Sequence, residues 1–203
     1  MNRRERKKEI TKETIIDSAL ALFKEKGFQE TYMEEIAEKS DVSKGTLYNY
    51  FQDKESILSG YFQSLINNYG NNLSEVSENF KENGDIKETI NSILDFINHI
   101  FRNDMEFTAI YFKYRMKKLF NSNPINNPHR SGLENLISDV IKEAQDKNQL
   151  RKDIPLTIMA RNFQFLYMNY FMSSTYGNED INIDVSKAQI IELFINGAKT
   201  QDN

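Results

Sequence analysis

Between Ser43 and Tyr50 the chain sets a hydroxyl, an ammonium, a glycine, a second hydroxyl, an amide and two phenols around one large aliphatic residue, Leu47. On a helix Leu47 turns inward and Ser43, Lys44, Gly45, Thr46, Tyr48 and Asn49 occupy the first turns and the outer face. Those groups suit a polynucleotide. Lys44 can donate to guanine O6/N7, the Thr46 methyl can meet a thymine methyl, and Gly45 lets the backbone come close. The Tyr48 and Tyr50 hydroxyls suit phosphate oxygens, which position a helix without reading sequence. Lys54 stands at the first turn of the next helix, where a cation opposes the positive end of the helix dipole. A phosphate at that N-terminus would make the placement favourable; the alternative is a solvated lysine paired with Asp53 or Glu55.

Nothing comparable supports catalysis. The chain has no cysteine, two isolated histidines (His99 and His129), no close His/carboxylate pair and no phosphate-cradling glycine loop. No catalytic residue, metal or cofactor is therefore assigned, and the protein is expected not to be an enzyme.

Helices must position these groups. Only three prolines and eight glycines interrupt 203 residues, and no segment has strand periodicity, so the expected class is all-α. Ile15, Ile16, Ala19, Leu20, Leu22 and Phe23 mark a first helix over residues 9–26, closed by Gly27. Thr31 and Glu34 form a capping-box pattern before a short second helix carrying Met33, Ile36 and Ala37. Asp41 falls in the turn at a left-handed position, and Ser43 is placed to cap the third helix. Asp53 then caps a long helix through Ile57, Leu58, Tyr61, Phe62, Leu65, Ile66 and Tyr69, with a kink expected near Gly70. Further helices are expected over residues 85–102, 104–120, 131–148, 156–176 and 184–199, with a loop at 121–130.

Net charge is −4. Residues 1–60 hold eleven bases and twelve acids, so any affinity for DNA depends on where particular residues fall. Arg3, Arg4, Arg6, Lys7, Lys8 and Lys12 against three acids make the first thirteen residues basic, a pattern expected for a solvated, frayed terminus. No apolar run approaches the ~20 residues that cross a bilayer, and no signal segment is evident, so a cytoplasmic location without membrane contact is expected.

Residues 156–172 are apolar on nearly every face, which requires burial all round. One side can serve the chain's own core; the other needs a second surface. Phe96, Ile100, Phe107, Ile110, Tyr111, Tyr114, Ile137, Phe163 and Tyr167 are first of all core residues, and are also the candidates to line a ligand site. The tyrosines among them would suit an amphipathic or aromatic effector. Arg102, Lys113, Arg115, Lys117 and Lys118 read as a solvated basic face, one of which could meet an anionic ligand.

The stretch from Ala19 to Phe28, then Thr31, Ile36-Ala37, Val42 to Phe51 and Lys54-Glu55 resembles the N-terminal domain of TetR-family transcription regulators. The likeness covers about residues 11–58 and is architectural beyond. It implies a DNA-binding domain at 1–53 and a helical effector-binding and dimerisation domain at 54–203. It also implies a homodimeric repressor whose double-stranded DNA operator is released by a small-molecule effector. The alternative is a DNA-binding or protein-recruiting factor without a ligand. Where the family often has a phosphate-touching Thr, this chain has Tyr32; Thr31 or Tyr32 is expected to take that role. Phe165, Met168, Met172, Ile191, Phe194 and Ile195 are the expected dimer contacts, holding two recognition helices ~34 Å apart to read successive major grooves.

Overall fold

A computed structural model describes residues 2–68, 78, 80, 82, 84–121, 132–176 and 183–198. They form α1 (Arg3–Lys26), α2 (Met33–Lys39), α3 (Lys44–Tyr50), α4 (Lys54–Asn68), α5 (Ile86–Arg102), α6 (Met105–Asn121), α7 (Gly132–Asp146), α8 (Leu156–Tyr176) and α9 (Ile183–Ala198). The chain is all-α, with no strand among the described residues. The expected kink near Gly70 and the loop over 122–130 lie outside them.

The first helix begins six residues earlier than its apolar stripe predicts. Asn2 Oδ1 accepts from the Arg4 and Glu5 N–H groups at 3.0 and 2.9 Å, and the Asn2 N–H donates to Glu5 Oε2 at 2.9 Å. This reciprocal cap satisfies amides that would otherwise fray, so the basic terminus is helical although fully solvated. At the other end Gly27 takes φ 90° and donates its N–H to Phe23 O at 2.9 Å. Asp41, between α2 and α3, takes the expected left-handed conformation with φ 52°.

Ile15, Ala19, Phe23, Phe28, Ile36, Ala37 and Leu47 make the core of the three N-terminal helices. The fourth helix lies against them through Ile57, Leu58 and Gly60. A Cβ on Gly60 would stand 2.8 Å from Phe51 Cε1 and 3.4 Å from Ile16 Cδ1. The missing side chain therefore sets how close α4 comes to α1 and to the end of α3.

Two residues further along, the same helix enters the larger core. Phe62 lies 5.1 Å from the Phe101 ring and 4.6 Å from that of Tyr111, and Phe101 continues to Phe112 and Phe171 at 5.0 and 5.7 Å. A second bridge joins the halves directly, with Phe23 of α1 edge-on to Phe107 of α6 at 5.8 Å.

Helices α7, α8 and α9 close the body. The α7–α8 connection is pinned by Gln145, whose amide donates to Arg151 O and Ile154 O at 2.9 and 3.0 Å. Lys87–Glu192 and Lys187–Asp95 pairs at 2.5 and 2.6 Å tie α9 across α5. Ile191 and Phe194, expected at a dimer surface, are instead buried within the chain, Phe194 standing 5.0 Å from the Phe163 ring. The helix is rotated so that Leu193, 64% exposed, faces outward in their place. The Met172 side chain lies outside the described residues.

Phe62 is completely enclosed by both parts of the core. Phe62→Ala is expected to lower unfolding free energy by about 3–5 kcal/mol, read from urea denaturation.

Candidate nucleic-acid interface

The outer face of α3 is built by its own cap. Ser43 Oγ accepts the Thr46 N–H at 3.1 Å and shares a hydrogen bond with Thr46 Oγ1 at 2.8 Å. With Leu47 fully buried, Ser43, Lys44, Gly45, Tyr48 and Asn49 are exposed on one side. Thr46 is half-buried, and Tyr50 is half-buried against the core, so its phenol is less available than the sequence suggests. Around Gly45 an added Cβ would meet only Ser43 Oγ at 4.0 Å, so nothing inside the chain demands glycine there. Lys44 Nζ rests 3.4 Å from Glu34 Oε1 of α2, with both side chains more than half exposed. Exposed pairs of this kind contribute ~0–1 kcal/mol, so the ammonium is readily released to another anion.

Of the two expected phosphate ligands before α2, one is used differently. Thr31 is fully buried and its hydroxyl donates to Gly27 O at 2.8 Å, closing the α1–α2 turn rather than facing outward. The cap of α2 is shifted by one residue: Tyr32 precedes the helix and its N–H donates to Glu35 Oε2 at 2.8 Å, which leaves Glu34 for Lys44. Glu35 also holds Lys26, and that bond, followed by the Tyr32 N–H, lowers its carboxyl pKa below the ordinary value. The Tyr32 phenol is 62% exposed beside α3's neighbour and remains a candidate contact.

Lys54 takes neither course open to it in the sequence. Its ammonium donates to Phe28 O at 2.7 Å and Gln29 O at 3.0 Å, and lies 4.8 Å from the centre of the Phe28 ring. The N-terminus of α4 meanwhile has its own anion, because Asp53 Oδ1 accepts the Ser56 N–H at 2.7 Å and the Asp53 N–H donates to Ser56 Oγ at 3.2 Å. Lys54 is thus a clasp between the end of α1 and the start of α4. Its acceptors lie 25 and 26 residues away, beyond the reach of local pattern.

In the larger body Ile100, Phe107, Tyr111, Ile137, Phe163 and Tyr167 are buried, and Phe96, Ile110 and Tyr114 half-buried. They do not form a single wall. Phe107 meets Phe23, Phe163 meets Phe194, and Tyr114 lies under Lys118 at 5.3 Å, within the field of Asp53 and Glu55. Tyr111 and Tyr167 do converge, on a group the sequence places in solvent. Arg115 turns inward from α6 to pair with Glu134 of α7, with side chains only 24% and 17% exposed. Gln164 of α8 donates to the same Glu134 oxygen at 2.7 Å. Burial raises the pKa of both phenols, with smaller contributions from the charges beside them, so each stays a protonated donor. The available signal was the four-residue spacing from Tyr111, which puts Arg115 on the inward stripe rather than with Lys113 and Lys117.

Among the described residues no group of His, Asp or Glu could hold a metal ion, and no helix is long and apolar enough to cross a membrane. Lys54→Met, which keeps the stem and removes the donor, is expected to destabilise the DNA-free protein by about 1–2 kcal/mol in thermal or urea unfolding. An unchanged midpoint would show the clasp to be idle.

Residues 15–60 match the family model for bacterial regulatory proteins of the tetR family. The uncharacterised HTH-type transcriptional regulator YerO of Bacillus subtilis (strain 168) is 28% identical over 201 residues, covering 91% of this chain, which spans only 61% of YerO's length. The fatty acid metabolism regulator protein of the same organism is 21% identical over 185 residues, covering 90% of this chain and 93% of that protein. Among solved structures, Thermus thermophilus FadR, a TetR-family transcriptional repressor in complex with lauroyl-CoA, superposes with a TM-score of 0.73 at 23% identity, covering 95% and 97% of the two chains. At that identity the likeness establishes the fold. With its three-helix unit matched over residues 15–60 and an all-helical body behind it, the chain carries an N-terminal unit similar to that of the tetR family of bacterial regulatory proteins.

Proposed function

We propose that the chain is a sequence-specific DNA-binding repressor that works as a homodimer and leaves its operator when a small amphipathic effector binds. The observation that carries this reading is the exposed face of α3, where Ser43, Lys44, Gly45, Tyr48 and Asn49 stand clear of the core around a buried Leu47. A short capped helix with donors and open space along one side suits insertion into a major groove. Thr46 and the Tyr32 phenol flank it. Residues 1–53 would then read DNA and residues 54–203 would sense and dimerise.

A second copy is called for by the outer sides of α8 and α9. Ile158 and Leu193 are 52% and 64% exposed, and Phe165, Met168 and Ile195 are half-buried beside them. Paired with their symmetry mates these helices would make a four-helix interface. That arrangement replaces Ile191 and Phe194 of the sequence-based expectation by residues that actually face out.

The effector reading is supported by the structural neighbour bound to lauroyl-CoA and by the path through α6. That helix packs along α4 and touches α1 through Phe107 and Phe23, so a ligand that shifts α6 moves the DNA-reading unit through two independent contacts. A fluorescence-anisotropy titration against operator fragments, with and without fatty acyl ligands, tests it. DNA affinity that no member of an apolar and amphipathic library alters would remove the effector from the account.

Lys44→Ala is expected to reduce operator affinity by about tenfold or more while leaving the protein folded and its affinity for random DNA nearly unchanged, whereas Tyr48→Ala, which removes a phosphate contact, is expected to weaken both alike. Equal losses on both DNAs for Lys44→Ala would reassign that side chain to a phosphate contact. Leu193→Glu, placing a charge on the proposed dimer face, is expected to give a monomer in sedimentation and to weaken operator binding with it.

A further inference from the structure

The polar cluster between α6, α7 and α8 is costly to keep. Arg115 and Glu134 give up most of their hydration in an otherwise apolar body, and well-packed apolar residues of similar volume commonly serve stability as well as or better than a buried ion pair. A guanidinium is also the side chain best suited to grip a carboxylate or phosphate through two parallel hydrogen bonds. Glu134 occupies the place that such an anion would take.

Three details distinguish this pair from a sealed structural bridge. Both side chains keep an exposed edge, so the pair sits at the rim of the core, where a ligand head can arrive. Glu134 has a second donor, Gln164, on the same oxygen, so losing Arg115 does not leave it without a hydrogen bond. Tyr111 and Tyr167, both buried, lie within the field of Arg115 and Glu134 and are packed on aromatic neighbours: Phe62 and Phe101 around Tyr111, Phe163 beside Tyr167. Polar groups at one point are thus followed by apolar core.

We propose that Arg115 is the head-group site for an amphiphile with an anionic head, carboxylate or phosphate, and that Glu134 is the internal competitor this head displaces. The inference rests on the effector-responsive reading above and adds its chemistry. Displacing Glu134 uncouples α6 from α7. Arg115 lies eight residues, ~12 Å along the helix, from Phe107, whose ring meets Phe23 of the DNA-reading unit. The head group thereby acts on the helix that both halves share.

The test uses the full-length protein with three probes that share a twelve-carbon chain: laurate, lauroyl-CoA and dodecanol, titrated by calorimetry and scored again for release of operator DNA. The unsubstituted protein is expected to bind at least one anionic probe about tenfold or more tighter than dodecanol, and the comparison of laurate with lauroyl-CoA identifies carboxylate or phosphate as the head. Glu134→Gln keeps the shape and removes the competing charge, so it is expected to bind that anion several-fold tighter. The double substitution Arg115→Met with Glu134→Leu is expected to keep the fold and lose the preference over dodecanol. Should the double variant fail to fold, the gain on Glu134→Gln decides, since a purely structural pair predicts no gain. Equal affinity for dodecanol and both anions in the unsubstituted protein overturns the head-group site while leaving an effector in place. Failure of all three probes to bind overturns it as well, and the effector itself falls only if the wider library also leaves DNA affinity unchanged.

Discussion

Helix α4 belongs to two cores at once, and the rest of the molecule is arranged around that constraint. On one side Gly60 must stay bare for the helix to lie against Phe51 and Ile16; two residues later Phe62 must fit between Phe101 and Tyr111. Close-packed interiors do not absorb a displacement of an ångström by yielding locally. A shift of α4 driven from the larger body is therefore delivered to the three-helix unit rather than dissipated. The Lys54 clasp and the Phe23–Phe107 contact add points of attachment at the same junction, one polar and one aromatic. The halves are covalently joined by one helix and mechanically joined by three sets of contacts.

Periodic information survives in the sequence, and relational information does not. Helix type and order follow from apolar spacing, and the bounds of α5, α6 and α8 lie within a residue or so of those the pattern predicts. The left-handed Asp41 and the Ser43 cap are local and were equally legible. Thr31, Lys54 and Arg115 were misplaced for one shared reason. Each is a polar residue whose partner is a backbone carbonyl or carboxylate brought near by folding, and of the three only Arg115 carried a local cue, its four-residue spacing from Tyr111. The rotation of α9 escaped for a different reason: Ile190, Ile191, Leu193, Phe194 and Ile195 make a nearly continuous apolar arc, from which inner and outer faces cannot be told apart without the neighbouring helix.

The polar network of the three-helix unit explains why its summed charge says so little. Lys26 is held by Glu35, Lys39 approaches Glu25, Lys44 rests on Glu34, and Lys54 is turned onto carbonyl oxygens. Acids and bases that cancel in the count also pair in space. The orientation of α2 against α1 and α3 is set by buried Phe23, Ile36, Ala37 and Leu47, and these pairs only cover the outside of that packing.

The cap on Asn2 has a kinetic consequence. It keeps Arg3, Arg4, Arg6, Lys7 and Lys8 on an ordered helical segment, exposed and, among the described residues, outside the ion pairs seen. With Lys26, Lys39 and Lys44 each beside a carboxylate, these five add a separate patch of positive potential that an approaching polyanion meets. Screening confines such a field to about 8 Å at physiological ionic strength. Under the proposed function, the rate of encounter with DNA would be governed by this terminal turn and its lifetime by α3, so that speed of search and selectivity would reside on separate helices.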